Sequence, residues 1–158
     1  MKNLIVLILA LASINVYADN KTWVDADGYT CSIYKEPYFT NSTNYYSCHF
    51  CVNYSNLIKT KNDPNFGGDT TAIAWTKASC PSKSPGTFVI TSQTLYDCSG
   101  NTFAPLFMGT SQNTKTVTPI LQTTLENVKA SQQLQRIPSD SWPAYFKKLA
   151  CSYTQPNK

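Results

Sequence analysis

Apolar and polar positions alternate in several short stretches of the first two-thirds of the chain, the two-residue period of a strand with one buried face. Thr22-Trp23-Val24 and Tyr29-Thr30-Cys31-Ser32-Ile33-Tyr34 flank Asp25-Ala26-Asp27-Gly28, an arrangement that predicts a hairpin. Phe88-Val89-Ile90 and Leu95-Tyr96 make Gly86 to Cys98 the best strand candidate, and Ser99-Gly100-Asn101 returns the chain into Phe103 to Met108 as a second hairpin. Thr71 to Trp75 reads as a short strand between two irregular loops, 62–70 and 81–86. In the last third the period lengthens. Leu121, Leu125, Val128 and Leu134 fall at helical spacing before Ile137-Pro138, with Thr118-Pro119 as the predicted helix start and Thr123 with Glu126 as an alternative capping box. A second, shorter helix is expected after Asp140 or Ser141. It turns Trp142, Tyr145 or Phe146, and Leu149 inward and Lys147 and Lys148 outward, and runs into Cys151. The fold class that follows is α+β: a small disulfide-stabilised domain with antiparallel hairpins in the first two-thirds and one or two C-terminal helices.

At the N-terminus, Lys2 precedes an unbroken apolar run from Leu4 to Ala12, and Val16-Tyr17-Ala18 offers a cleavage site. Residues 1–18 are therefore expected to be a signal peptide and 19–158 a single secreted domain. The run is too short to span a bilayer, which takes about 20 apolar residues, and no other stretch is long enough. A length of 158 residues with 42% hydrophobic side chains supports one ordinary domain. Aromatic residues make up 13% of the chain, which argues against disorder. The net charge of +4 is mild, only Arg136 is an arginine, and the lysines are spread apart except for Lys59/Lys61 and Lys147/Lys148. Phosphate recognition needs clustered basic groups, so nucleic acid is not expected as a partner.

Six cysteines occur, Cys31, Cys48, Cys51, Cys80, Cys98 and Cys151, an even number in a chain with an export signal. Three disulfides are the expectation in an oxidising compartment, with connectivity left open by the sequence. Cys48-His49-Phe50-Cys51 resembles, over four residues, the active site of thioredoxin-like disulfide oxidoreductases. The resemblance implies an alternative in which Cys48 and Cys51 form a redox pair, one attacking as thiolate and the other resolving the mixed disulfide. The flanking residues favour structural half-cystines: 43–47 is no apolar strand, and 52–56 is a poor helix start. Zinc bound by Cys48, His49 and Cys51 would require adjacent Cys and His ligands and reduced thiols, so no metal is expected. Asp25 to Gly28 lacks the oxygen ligands of a calcium loop, since Trp23 and Tyr34 stand where carboxylates belong.

Other catalytic chemistry finds few residues. His49 is the single histidine and there is no nucleophile elbow, which leaves no imidazole-based hydrolase arrangement. Glu36 and Glu126, with Asp25, Asp27, Asp63, Asp69, Asp97 and Asp140, could supply two carboxylates for an extracellular hydrolase, a weaker alternative. No glycine-rich phosphate loop is present, so no cofactor is expected. Residues 37–58 hold no Asp, Glu, Lys or Arg but several tyrosines. A polar, uncharged, tyrosine-rich segment suits an extracellular protein or glycan partner, with Tyr38, Tyr45, Tyr46 and Tyr54 as candidate binding residues and burial in the core as the competing use. The leading expectation is a non-catalytic binding role. Sequons at Asn20, Asn41 and Asn53 place those asparagines at the surface if they are glycosylated.

Overall fold

The computed structural model describes residues 22–35, 47–81, 87–112, 116–131, 134–139 and 141–154. The expected signal peptide, Tyr38, Tyr45, Tyr46, Glu36 and Asp140 lie outside them. Eight strands form one antiparallel sheet: β1 (Trp23–Val24), β2 (Thr30–Lys35), β3 (Ser47–Asp63), β4 (Asp69–Pro81), β5 (Thr87–Asp97), β6 (Thr102–Gln112), β7 (Thr118–Gln122) and β8 (Gln135–Arg136). The first seven are neighbours in chain order, and β8 pairs with β6. Two helices, α1 (Leu125–Ser131) and α2 (Trp142–Ser152), complete an α+β domain held by three disulfides.

Both predicted hairpins form. In the first, Asp25 Oδ1 accepts from the amides of Asp27 at 3.0 Å and Tyr29 at 2.8 Å, and Gly28 takes the left-handed φ of 79° that the turn requires. The strand expected at 71–75 is longer than its apolar core, because β4 runs through Pro81 and pairs along its length with β5. The loop expected at 62–70 is a tight connection instead. Asp63 ends β3 and caps a single 3₁₀ turn, Pro64–Phe66, accepting from Asn65 N, Asn65 Nδ2 and Thr71 Oγ1.

The sheet buries both faces near β3. On one face Phe50 and Val52 of β3, Ala72, Ala74 and Ala78 of β4, and Tyr96 of β5 pack with Phe146 and Ala150 of α2. The three alanines keep β4 low where the helix crosses it. Phe50 takes the rings of Trp142, Tyr145 and Phe146 edge-on at 5.4 to 5.5 Å. The opposite face has two clusters: Leu95, Ala104 and Leu106 under Val128 of α1, and Tyr29 with Cys31 and Cys51. Burial on both sides explains why the charge-free segment shows no alternation: Cys48, Phe50, Cys51, Val52 and Asn53 are all buried.

A wide bulge interrupts β3. Asn53 lies opposite Trp75 and Ile58 opposite Ile73, so residues 54–57 face Ala74 alone. Asn53 Oδ1 closes the bulge by accepting from Ser55 Oγ at 2.7 Å and Asn56 N at 3.1 Å. Asn53 is thus buried, in contrast to the surface position a glycosylated sequon would need. The bulge sends Leu57 into the core and lays Tyr54 on Tyr153, with ring centroids 4.3 Å apart and planes at 19°.

The helix expected to start at Thr118-Pro119 begins later. Residues 118–122 form β7 on the outer edge of β6, where Leu121 lies opposite Met108 and Pro119 opposite Gly109. The four-residue step from Leu121 to Leu125 mimics a helix, but edge pairing claims the first half of it. The cap is Thr124, one residue beyond the Thr123 of the expected box: its Oγ1 accepts from Asn127 N at 3.2 Å. The helix stops at Ser131, well before Ile137, which is buried and donates its amide to Asn101 O at 3.0 Å. The second helix follows its pattern. Ser141 caps it, Phe146 is buried, Trp142, Tyr145 and Leu149 are half-buried, and Lys148 is exposed. Lys147 is drawn in to donate to the Gly100 carbonyl.

Candidate functional site

The register of successive hairpins aligns one residue from each of five strands. Asn53 of β3, Trp75 of β4, Gln93 of β5, Phe107 of β6 and Gln122 of β7 are consecutive cross-strand partners, so carboxamides and aromatic rings alternate along a line across the sheet. The rings of Trp75 and Phe107 lean together across the strand between them, with centroids 5.5 Å apart and planes at 51°. Trp75, Gln93 and Phe107 are partly exposed and Gln122 is exposed, while the Asn53 carboxamide is consumed by the bulge. Gly109 gives Phe107 its room: a Cβ there would stand 3.1 Å from Phe107 Cζ and 2.5 Å from Val117 Cγ1.

The neighbouring row carries charge, and its one ammonium is paired with two carboxylates. Trp23, Cys31, Cys51 and Lys77 are successive partners across β1 to β4. Lys77 Nζ lies 3.1 Å from Asp25 Oδ2, 2.5 Å from Asp27 Oδ2 and 4.1 Å from the Tyr29 ring centroid. The ammonium therefore fastens the β1–β2 turn over this face of β4. Desolvation opposes the charge on Asp25, but the Tyr29 amide and Lys77 outweigh it and hold the carboxyl below its ordinary range. Desolvation likewise opposes the charge on Lys77, and its two carboxylate partners raise its pKa on balance. Burial raises the Tyr29 phenol. His49, exposed at the rim, meets Trp23 edge-on at 5.0 Å.

All six cysteines are paired: Cys31 with Cys51, Cys48 with Cys80, and Cys98 with Cys151. The redox reading of Cys48 and Cys51 is thereby corrected. The segment is a strand, in which residues three apart point to opposite faces, so each thiol bonds across to a different neighbour. Asp25, Cys31 and Cys51 offer donor atoms within 4.8 Å of one another, but both sulfurs are joined to each other and Asp25 is bound to Lys77.

The expected acids are mostly spent on turns. Asp63 caps the 3₁₀ turn, and Asp97 accepts from the amides of Ser99 and Gly100. Among the described residues, Asp25 and Asp27 form the acid pair that shares a partner, and that partner is Lys77. A groove of about 550 Å³ between α1 and the β6–β7 edge and a cleft of about 110 Å³ beneath the start of α2 hold no acid, histidine or basic side chain.

No family model, no curated protein and no solved structure matches this chain. Among the described residues, no helix is long and apolar enough to cross a membrane.

Of the four tyrosines singled out from the sequence, Tyr54 alone is described, half-buried in its stack with Tyr153 and packed beside the α2 core. It does not join the carboxamide and aromatic row. Sequence reasoning missed Trp75, Gln93 and Phe107 as a group. Alternation within β4, β5 and β6 assigns each to a face, but aligning them takes two registers that no local pattern carries.

Proposed function

We propose that the protein is a non-catalytic, extracytoplasmic binding domain that holds a neutral saccharide on the Trp75, Gln93 and Phe107 row. The observation that carries this reading is the pair of partly exposed rings flanked by uncharged carboxamides on a sheet face where neither α1 nor α2 packs over Trp75. A sugar ring has an apolar C–H face, which packs on aromatic rings, and hydroxyls that both donate and accept. A carboxamide answers both, supplying two donors and an acceptor. Fixed polar groups beside an apolar platform are the usual composition of a small-ligand site. The row bears no formal charge, and the neighbouring Lys77 ammonium is already held by Asp25 and Asp27, so an anionic ligand gains nothing there. Three disulfides support residence outside the reducing cytosol, and the leader-like residues 1–18 support export. Tyr38, Tyr45 and Tyr46 belong to the same proposal as additional contact residues.

The test is a titration of the disulfide-bonded protein with a panel of neutral oligosaccharides, followed by tryptophan fluorescence and amide chemical shifts. Trp75→Ala and Phe107→Ala are each expected to weaken binding by about tenfold or more, equivalent to about 1.4 kcal/mol, with circular dichroism unchanged. A triple alanine variant at Tyr38, Tyr45 and Tyr46 measures the contribution of that segment. Absence of binding across the panel, or binding that survives both ring deletions, refutes the reading.

A further inference from the structure

Strand alternation brings Thr76 and Ala78 of β4 and Ser92 and Thr94 of β5 to the face that α2 crosses, opposite the Trp75 row. None of the four is larger than threonine. The sheet is therefore low beneath the first turn of α2, and a cleft of about 110 Å³ remains there. Its walls are bulky: Tyr96 of β5, Phe103 and Met108 of β6, and Trp142 and Phe146 of α2. Protein interiors hold few voids larger than a water molecule, and an apolar cavity of about 150 Å³ stays dry and takes up benzene. This cleft is of that order, and the partly exposed Ile90, Met108 and Pro143 in its lining give it an opening to solvent.

The cleft also holds an unused donor. Thr76 Oγ1 and Ser92 Oγ both line it and bond to each other at 2.8 Å, with Thr76 only 1% exposed. Two hydroxyls carry two protons, and the bond between them consumes one, whichever oxygen gives it. Neither hydroxyl has a further partner among the described residues, so one O–H is left to donate. No acid, histidine or basic side chain lines the cleft, and burial raises the Tyr96 phenol so that it stays protonated. A charged ligand would lose its hydration there and find no counter-charge.

We infer that this cleft is a second binding site, for a small neutral aromatic molecule that carries one hydrogen-bond acceptor. The ring packs among the aromatic walls and the Met108 thioether, both of which favour contact with another ring. The acceptor takes the spare proton of the Thr76 and Ser92 hydroxyl pair. The site lies on the opposite face from Trp75, Gln93 and Phe107 and uses none of them.

The experiment titrates the disulfide-bonded protein, isotopically labelled at its methionine methyl groups, and follows them by NMR. The chain has two methionines, and Met108 is the one in the cleft wall. The probes are acetophenone, isopropenylbenzene, which has the same shape with a methylene group in place of the carbonyl oxygen, and benzoate, which is charged. Acetophenone should shift the Met108 methyl resonance saturably with a Kd of about 1 mM or below, and benzoate should not. Thr76→Val combined with Ser92→Ala removes both hydroxyls and strands no partner, so the fold should persist. That variant should bind acetophenone about fivefold more weakly and isopropenylbenzene as well as before or better. Ser92→Met fills the cleft with a flexible side chain and should abolish binding of both neutral probes, with near-ultraviolet circular dichroism reporting that the packing is retained. The inference is overturned if acetophenone produces no saturable shift at Met108, or if benzoate binds as tightly. Acetophenone affinity that survives loss of both hydroxyls, or filling of the cleft, overturns it as well.

Discussion

Lys77 binds two carboxylates and one ring, and its position on β4 makes it the fastening of the β1–β2 turn. Because the Asp25 and Asp63 carboxyls are held below their ordinary values in the folded state, their contribution to stability is complete above the ordinary carboxylate range. It is lost as pH falls through the folded values. The raised Lys77 works in the other direction, contributing below its ordinary value and losing that contribution as pH rises past its folded one. Urea midpoints measured against pH should therefore decline on acidification below about pH 4. Lys77→Met should flatten the Asp25 part of that decline and leave the part due to Asp63. Its own cost at neutral pH should stay at about 1 kcal/mol or less, because Asp27 is largely exposed. Tyr54→Ala, which removes half of a stacked ring pair, should cost more, about 1–3 kcal/mol in a denaturant titration. At this scale the sequence left two uses open for Tyr54, burial and binding, because tyrosine serves both equally well, and the structure shows its packing on Tyr153.

Among the elements, α2 was legible because cap, period and terminal cysteine agree. Ser141 Oγ accepts from Ala144 N at 3.4 Å, and Ser141→Ala is expected to lower stability by about 1 kcal/mol, read as a shift in the thermal midpoint. The start of α1 was misread because β7 and the helix share one apolar spacing, and only the vacant edge of β6 decides between them. That edge strand carries Pro119 and has a bulge at Ile120, two features that discourage further pairing in an otherwise exposed, uncharged strand. Where β7 meets β6, Gly109→Ala drives a methyl group toward Val117 and the Thr118 carbonyl. The variant should lose about 1–3 kcal/mol in chemical denaturation. It should also weaken saccharide binding relative to a stability-matched core variant, because the Phe107 ring loses its seat.

For the molecule as a whole, the three disulfides link what the meander leaves independent. Cys31–Cys51 joins β2 to β3, Cys48–Cys80 joins β3 to β4, and Cys98–Cys151 ties the β5–β6 turn to the last turn of α2. With a separation of 53 residues, against 20 for Cys31–Cys51, the last bridge restricts the unfolded chain most. Replacing Cys98 and Cys151 by serine should cost about 4 kcal/mol, against about 3 kcal/mol for the Cys31 and Cys51 pair. Peptide mapping of the oxidised protein and unfolding midpoints of the two double variants check both the connectivity and the order. Length, apolar periodicity and turn chemistry determined by themselves that this chain makes antiparallel hairpins followed by a capped helix, and six cysteines determined that it would be cross-linked, because these are short-range properties. Register, disulfide partners, the buried role of Asn53 and the alignment of Trp75, Gln93 and Phe107 were decided only by the tertiary structure. The disulfides join residues 20 to 53 positions apart and the aligned row crosses several hairpins, and the energy that selects such pairings comes from packing both faces of the sheet at once.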